Sequence, residues 1–155
     1  MSNLADHDGL GMTVGAGIAL ALAVNSNYCG DFLDVLVEII GGITAGKVGS
    51  RLPDAIEPPT SSWHRSTAHS VMATSAVAAL GIRKGAPVAE QLRAKAEQAR
   101  NLASERPEDA QHYQLVRILS RFAAGVAVGA PSGYVSHTLL DSLTPRCIPL
   151  ITKGF

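Results

Sequence analysis

Cysteine is nearly missing from this chain: Cys29 and Cys147 stand alone in 155 residues, without the paired spacing of a zinc ribbon or a redox motif. Aromatic residues are scarce too, at 5%. Neither sign of charge is in excess, with 13 Lys plus Arg against 13 Asp plus Glu, so no global field draws the molecule to nucleic acid or to an anionic bilayer. No basic flank of a secretory signal opens the chain, and an intracellular setting, cytoplasmic or membrane-associated, is the default expectation. Long hydrophobic runs are also lacking. Segments 9–24 and 35–46 are apolar but fall short of the roughly 20 residues that span a bilayer; neither has an aromatic belt, and Glu38 interrupts the second. They are read as buried core helices, with membrane-embedded or interfacial segments as the alternative.

What is abundant is small and aliphatic. The apolar fraction is 46%, beside 15 glycines, a composition suited to closely approaching helices in one domain. Asn25-Ser26-Asn27 breaks the first apolar stretch from the second and makes the opening an αα-hairpin. Asp31 and Asp34 early, with Lys47 and Arg51 late, support a helix over 31–49. Gly42 and Gly46 share a face that lets another backbone approach. Segment 52–62, with its prolines, reads as an ordered loop. A helical run from Thr67 stops at Gly81, and 87–104 is a charged, mostly solvated helix, an external arm or a surface for a protein partner or a second copy. A helix opened by Pro107, Glu108 and Asp109 runs to Val128. Pro131, with Ser132 as N-cap, opens the last helix, over 133–143, and 147–155 forms a surface tail. The expectation is an all-α, compact bundle of about five to six helices.

Two segments carry chemistry. Asp54 and Glu57 precede His64 and His69, so two carboxylates and two imidazoles fall close together on a proline-stiffened stretch. Such donors suit Zn²⁺, Mn²⁺ or Fe²⁺, and the lack of thiolates favours a catalytic over a structural site. The bland alternative makes Asp54 and Glu57 turn or cap residues and the histidines ordinary polar side chains. Far along the chain, His137 and Asp141 lie four apart on one helix face and can share a metal, or else form a polar core pair.

The pattern PD..EP......HR...HS followed by GY.SH..LD.LTP resembles the YdjM-like family of predicted metal-dependent hydrolases, often described as membrane-bound. The resemblance implies a helical fold similar to zinc-dependent phospholipase C enzymes, with phosphodiester substrates, and a metal site at Asp54, Glu57, His64, His69, His137 and Asp141. The family usually brings another histidine near the N-terminus; here His7 lies several residues ahead of the apolar helix and is a weak candidate. The expected cofactor is one or two divalent transition-metal ions, zinc first, with Mn or Fe as alternatives. The expected substrate is a small molecule or lipid, hydrolysed by metal-activated water. Glu57 and Arg65 are the candidate catalytic residues, Arg65 as a fork for an anionic group or a salt-bridge partner of Glu57 or Asp54. Ser70 and Thr144 are candidates to orient ligands, or caps.

Two rivals remain at this stage. Residues 41–48, after a strand-like 35–40 run, nearly match a phosphate-binding loop, but Val48 stands where a hydroxyl is required. The second is a non-catalytic helical membrane or assembly protein that uses the same cluster as a structural metal or polar core site.

Overall fold

The computed structural model describes residues 4–58 and 67–143. It contains α1 (Leu4–Val24), α2 (Phe32–Ile56), α3 (Val71–Leu80), α4 (Ala86–Glu105) and α5 (Ala110–Ser142). No strand occurs among the described residues, so the fold is all-α. The helices form four continuous rods and not five to six, because α3 passes into α4 through a π-helical segment, Gly81–Gly85, and a 3-10 turn, Pro107–Asp109, leads directly into α5.

The sequence signals read as helix ends account for the difference. Gly81 keeps right-handed helical geometry and continues the rod. Pro53 lies inside α2, where the amide of Glu57 still donates to its carbonyl at 2.9 Å. Its ring would crowd the carbonyl four residues back, and that residue is Gly49, which has no side chain of its own to shift. Pro131 likewise lies inside α5, and Ser132, expected as an N-cap, instead donates its hydroxyl to the carbonyls of Val128 and Gly129. Residues 35–48 are helical throughout, which removes the strand and loop that a phosphate-binding site needs.

Asp31 starts α2 with a reciprocal cap: its carboxylate accepts from the Asp34 amide at 3.0 Å, and the Asp34 carboxylate accepts from the Asp31 amide at 3.1 Å. The chain enters through Gly30 at φ +78, in the left-handed region where a side chain is strained.

Glycine sets how closely the rods approach. A Cβ added at Gly15 or Gly129 would fall within 3.0 Å of the Gly42 carbonyl oxygen, and one at Gly133 would meet Gly46 in the same way. The face expected from Gly42 and Gly46 therefore receives α1 on one side and α5 on the other.

Polar residues fill much of the interior. Glu38 and Arg121 are 0% exposed, and Arg93 and Arg117 are also buried. Arg93 donates to Glu38 and to Glu90, Arg117 to Asp34 and Asp31, and Arg121 lies 3.7 Å from Asp34 and 3.6 Å from Glu38. Helix α4 is thus tied into the bundle through Arg93, while its outer face is charged and exposed. Apolar side chains instead crowd the outside. Along α2, Phe32, Leu36, Ile40, Val48, Leu52 and Ile56 recur every four residues or multiples of four, and all are exposed, Phe32 at 82%. Two helical stretches, Leu4–Val24 and Pro107–Ser142, are long and apolar enough to cross a membrane.

Candidate metal centre

The last turn of α2, the turn before α3, the C-terminal half of α5 and the first turn of α1 meet at one end of the bundle. Asp54 comes from α2, Glu57 from its C-cap, His69 from the turn, His137 and Asp141 from α5, and His7 from α1. Because α1 and α2 run antiparallel while α2 and α5 run parallel, the start of the first rod lands beside the ends of the second and last.

His69 is at the middle. Its Nε2 lies 3.3 Å from Asp54 Oδ1, 3.3 Å from His137 Nε2 and 3.5 Å from Asp141 Oδ2. His137 Nε2 lies 3.6 Å from Asp54 Oδ1 and 3.4 Å from Asp141 Oδ2. The other oxygen of Asp141, Oδ1, is 3.6 Å from His7 Nε2, and the His7 ring stacks on His137 with centroids 3.9 Å apart. Two overlapping donor groups result, Asp54 with His69 and His137, and His7 with His137 and Asp141.

The converging donors could hold a cation. The far nitrogen of His69, Nδ1, faces Glu57 Oε2 at 3.3 Å. If Nδ1–H donates to that carboxylate, Nε2 of the neutral ring is a bare acceptor. It then points at two carboxylate oxygens and another imidazole nitrogen, an arrangement of lone pairs that repels unless positive charge lies among them. Separations of 3.3–3.6 Å are also the edge lengths of a tetrahedron whose centre binds N and O donors at about 2.0–2.2 Å.

The side chains of His69, His137, Asp141 and His7 are at most 5% exposed, whereas that of Asp54 is 29% exposed. The centre therefore opens outward past Asp54. Its turn is held from behind. The Tyr134 hydroxyl donates to the carbonyl of Ala68, the Glu57 carboxylate accepts from the Thr67 amide at 2.6 Å, and Thr74 and Thr138 join their hydroxyls at 3.0 Å. Ser70 caps α3 by accepting from Ala73.

Of the residues expected from sequence, Asp54, His69, His137 and Asp141 converge with their donor atoms facing one another. Glu57 joins them on the outer nitrogen of His69, in an orienting position and not among the converging donors. His64, Arg65 and Thr144 lie outside the described residues. His7, a weak candidate by its place in the chain, is a full member of the cluster. No known protein family, curated protein or solved structure matches this chain.

Proposed function

We propose that this protein is a membrane-embedded, metal-dependent hydrolase acting on a phosphoester. The observation that carries the reading is the convergence of three imidazoles and two carboxylates, contributed by separate helices, with donor atoms 3.3–3.6 Å apart. Asp54, His69 and His137 are one set that could hold an ion. Asp141 directs one oxygen to His7 and the other to His69 and His137, so His7, His137 and Asp141 are a second set that could hold an ion. Zinc suits these donors best, with manganese or iron as alternatives. A bound ion of this kind lowers the pKa of water and polarises a phosphoryl oxygen.

The protein's own groups complete the reading. Glu57 holds the His69 ring so that Nε2 faces inward, the part a carboxylate plays behind a metal-bound histidine. In the reaction the water oxygen would bond to phosphorus as the P–O bond to the alcohol breaks, and the water proton would pass to the leaving alcohol; Asp54, 29% exposed, marks the open side. The YdjM-like resemblance implies the same chemistry, and shares Asp54, His69, His137 and Asp141 with this cluster.

The membrane part of the proposal rests on the inverted distribution of polarity. Apolar side chains are exposed along α2, and Leu4–Val24 and Pro107–Ser142 are each long and apolar enough to cross a hydrocarbon core of about 30 Å. Charges within membrane segments face the bundle interior and pair with one another, as the three buried arginines and their carboxylates do here.

A second reading, a closed structural metal site in a non-catalytic membrane protein, has one observation in its favour, the burial of His69 and His137. Turnover separates the two. Metal-loaded protein in detergent is expected to hydrolyse generic phosphodiesters, and His69→Ala or His137→Ala to reduce the rate to background while circular dichroism stays unchanged. Wild-type protein that holds metal, hydrolyses no ester and unfolds on chelation would establish the structural reading instead.

A further inference from the structure

Glycine closes the seam between α1 and α2 almost to the start of α1. A Cβ at Gly15 would meet the Gly42 carbonyl oxygen at 2.2 Å, and one at Gly11 would meet the Gly46 carbonyl oxygen at 2.7 Å and the Ser50 Cβ at 2.6 Å. At the next turn toward the start of α1, an ion pair crosses the seam instead. Asp8 Oδ1 accepts from Arg51 Nε at 2.8 Å, and Asp8 Oδ2 accepts from Arg51 Nη2, the two parallel bonds of a guanidinium fork.

The pair has one partner on each of two helices that supply donors to the metal centre. Asp8 follows His7 in α1, and Arg51 stands three residues before Asp54 in α2, a spacing of about 5–6 Å between Cβ atoms. Neither is one of the converging donors. A guanidinium so near a cation site opposes the cation by charge, so any gain from Arg51 has to come from geometry. His7 is where geometry needs support. It lies in the first turn of α1, where amides lack partners within the helix and where helices open at least cost. Its Nε2 is 3.6 Å from Asp141 Oδ1, beyond hydrogen-bond range, and its ring rests on the face of His137.

We infer that Asp8 and Arg51 are positioning residues for the metal centre: their ion pair holds the first turn of α1 against α2 and so keeps His7 beside Asp141 and His137. The inference rests on the metal-binding half of the reading above and is independent of hydrolysis.

Zinc affinity of the full chain in detergent, measured by competition with a chromophoric chelator, tests it. Arg51→Gln is expected to weaken zinc binding by up to about fivefold, the most that a half-exposed pair supports, whereas loss of a nearby positive charge would by itself tighten binding. Asp8→Asn should weaken binding as well. In a His7→Ala background Arg51→Gln should change nothing further, because the ring it positions is gone. The inference is overturned if Arg51→Gln binds zinc as tightly as the wild type or more tightly, if it loses the same factor with and without His7, or if His7→Ala alone leaves the affinity unchanged. The expected pattern in a protein that hydrolyses no phosphoester upholds the positioning role and overturns the hydrolytic reading alone, and a wild-type chain that takes up no zinc overturns both.

Discussion

The contact between Glu57 and Nδ1 of His69 gives the two ring nitrogens different tasks, and it shows how far spacing can be read. The interval from Asp54 to Glu57 places both carboxylates near the histidine, but which nitrogen each one meets depends on how the Thr67–Ser70 turn folds back over α2. Replacing Glu57 by Gln should weaken metal binding about 10- to 100-fold with helicity intact, as read by competition with a chelator; unchanged affinity would remove its orienting role. His7 was hidden for a different reason. It lies far in the chain from the other site residues, and only the antiparallel passage of α1 brings its first turn onto His137. The buried pair Arg93 and Glu38 was equally invisible, since Arg93 sits in a helix whose composition signals solvation. Arg93→Ala takes the hydrogen-bonded partner from Glu38, which is 0% exposed and keeps only Arg121 at 3.6 Å, and should destabilise the protein by about 1–3 kcal/mol. Denaturant titration measures this, and a loss below about 1 kcal/mol would mean that Glu38 finds another partner.

At the scale of elements, helix existence was readable and helix ends were not. The αα-hairpin and the start of α2 follow from Asn25–Asn27 and Asp31, local chemistry that no tertiary contact overrides. Asp31→Ala removes the cap and the Arg117 pairing and should cost about 1 kcal/mol or more in thermal stability, with Asp31→Asn losing less because it keeps the cap. Pro53, Gly81 and Pro131 are different, because each breaks a helix by itself and is carried through by packing. Ala130 of α5 sits against Gly49 of α2, and Pro131 against Gly81 of the α3–α4 rod, so three rods hold one another's irregular turns in line. The same close fit makes Gly42 intolerant: a Cβ there would lie 2.7 Å from that of Ala19. Gly42→Ala is therefore expected to cost about 1–3 kcal/mol, and a variant that melts like the wild type would show that α1 can move aside.

For the whole molecule, average hydropathy was a poor guide because α2 mixes buried acids with exposed apolar side chains. Asp34 and Glu38 are buried against arginines while the Phe32-to-Ile56 stripe looks outward, and a window over the sequence adds the two faces together. Exposed apolar side chains along α2 beside buried charges, which only the fold displays, are what the membrane reading rests on. The protein should accordingly sediment with membranes and resist extraction by salt or alkaline carbonate. Placing Lys at Leu36 or Ile40 should each cost about 2–3 kcal/mol of insertion free energy, seen as loss from the membrane fraction; release of the unmodified protein by salt alone would contradict the placement. The claim on which the account depends most is that α1, α2, α5 and the turn before α3 close around a transition-metal ion. Elemental analysis of protein extracted in detergent without added metal tests it most directly. The expected result is about one to two equivalents of zinc, manganese or iron per chain, lost in His137→Ala with the helical content unchanged. A wild-type chain that is free of metal and takes none up from buffered zinc, or a variant that keeps its full complement, would contradict it.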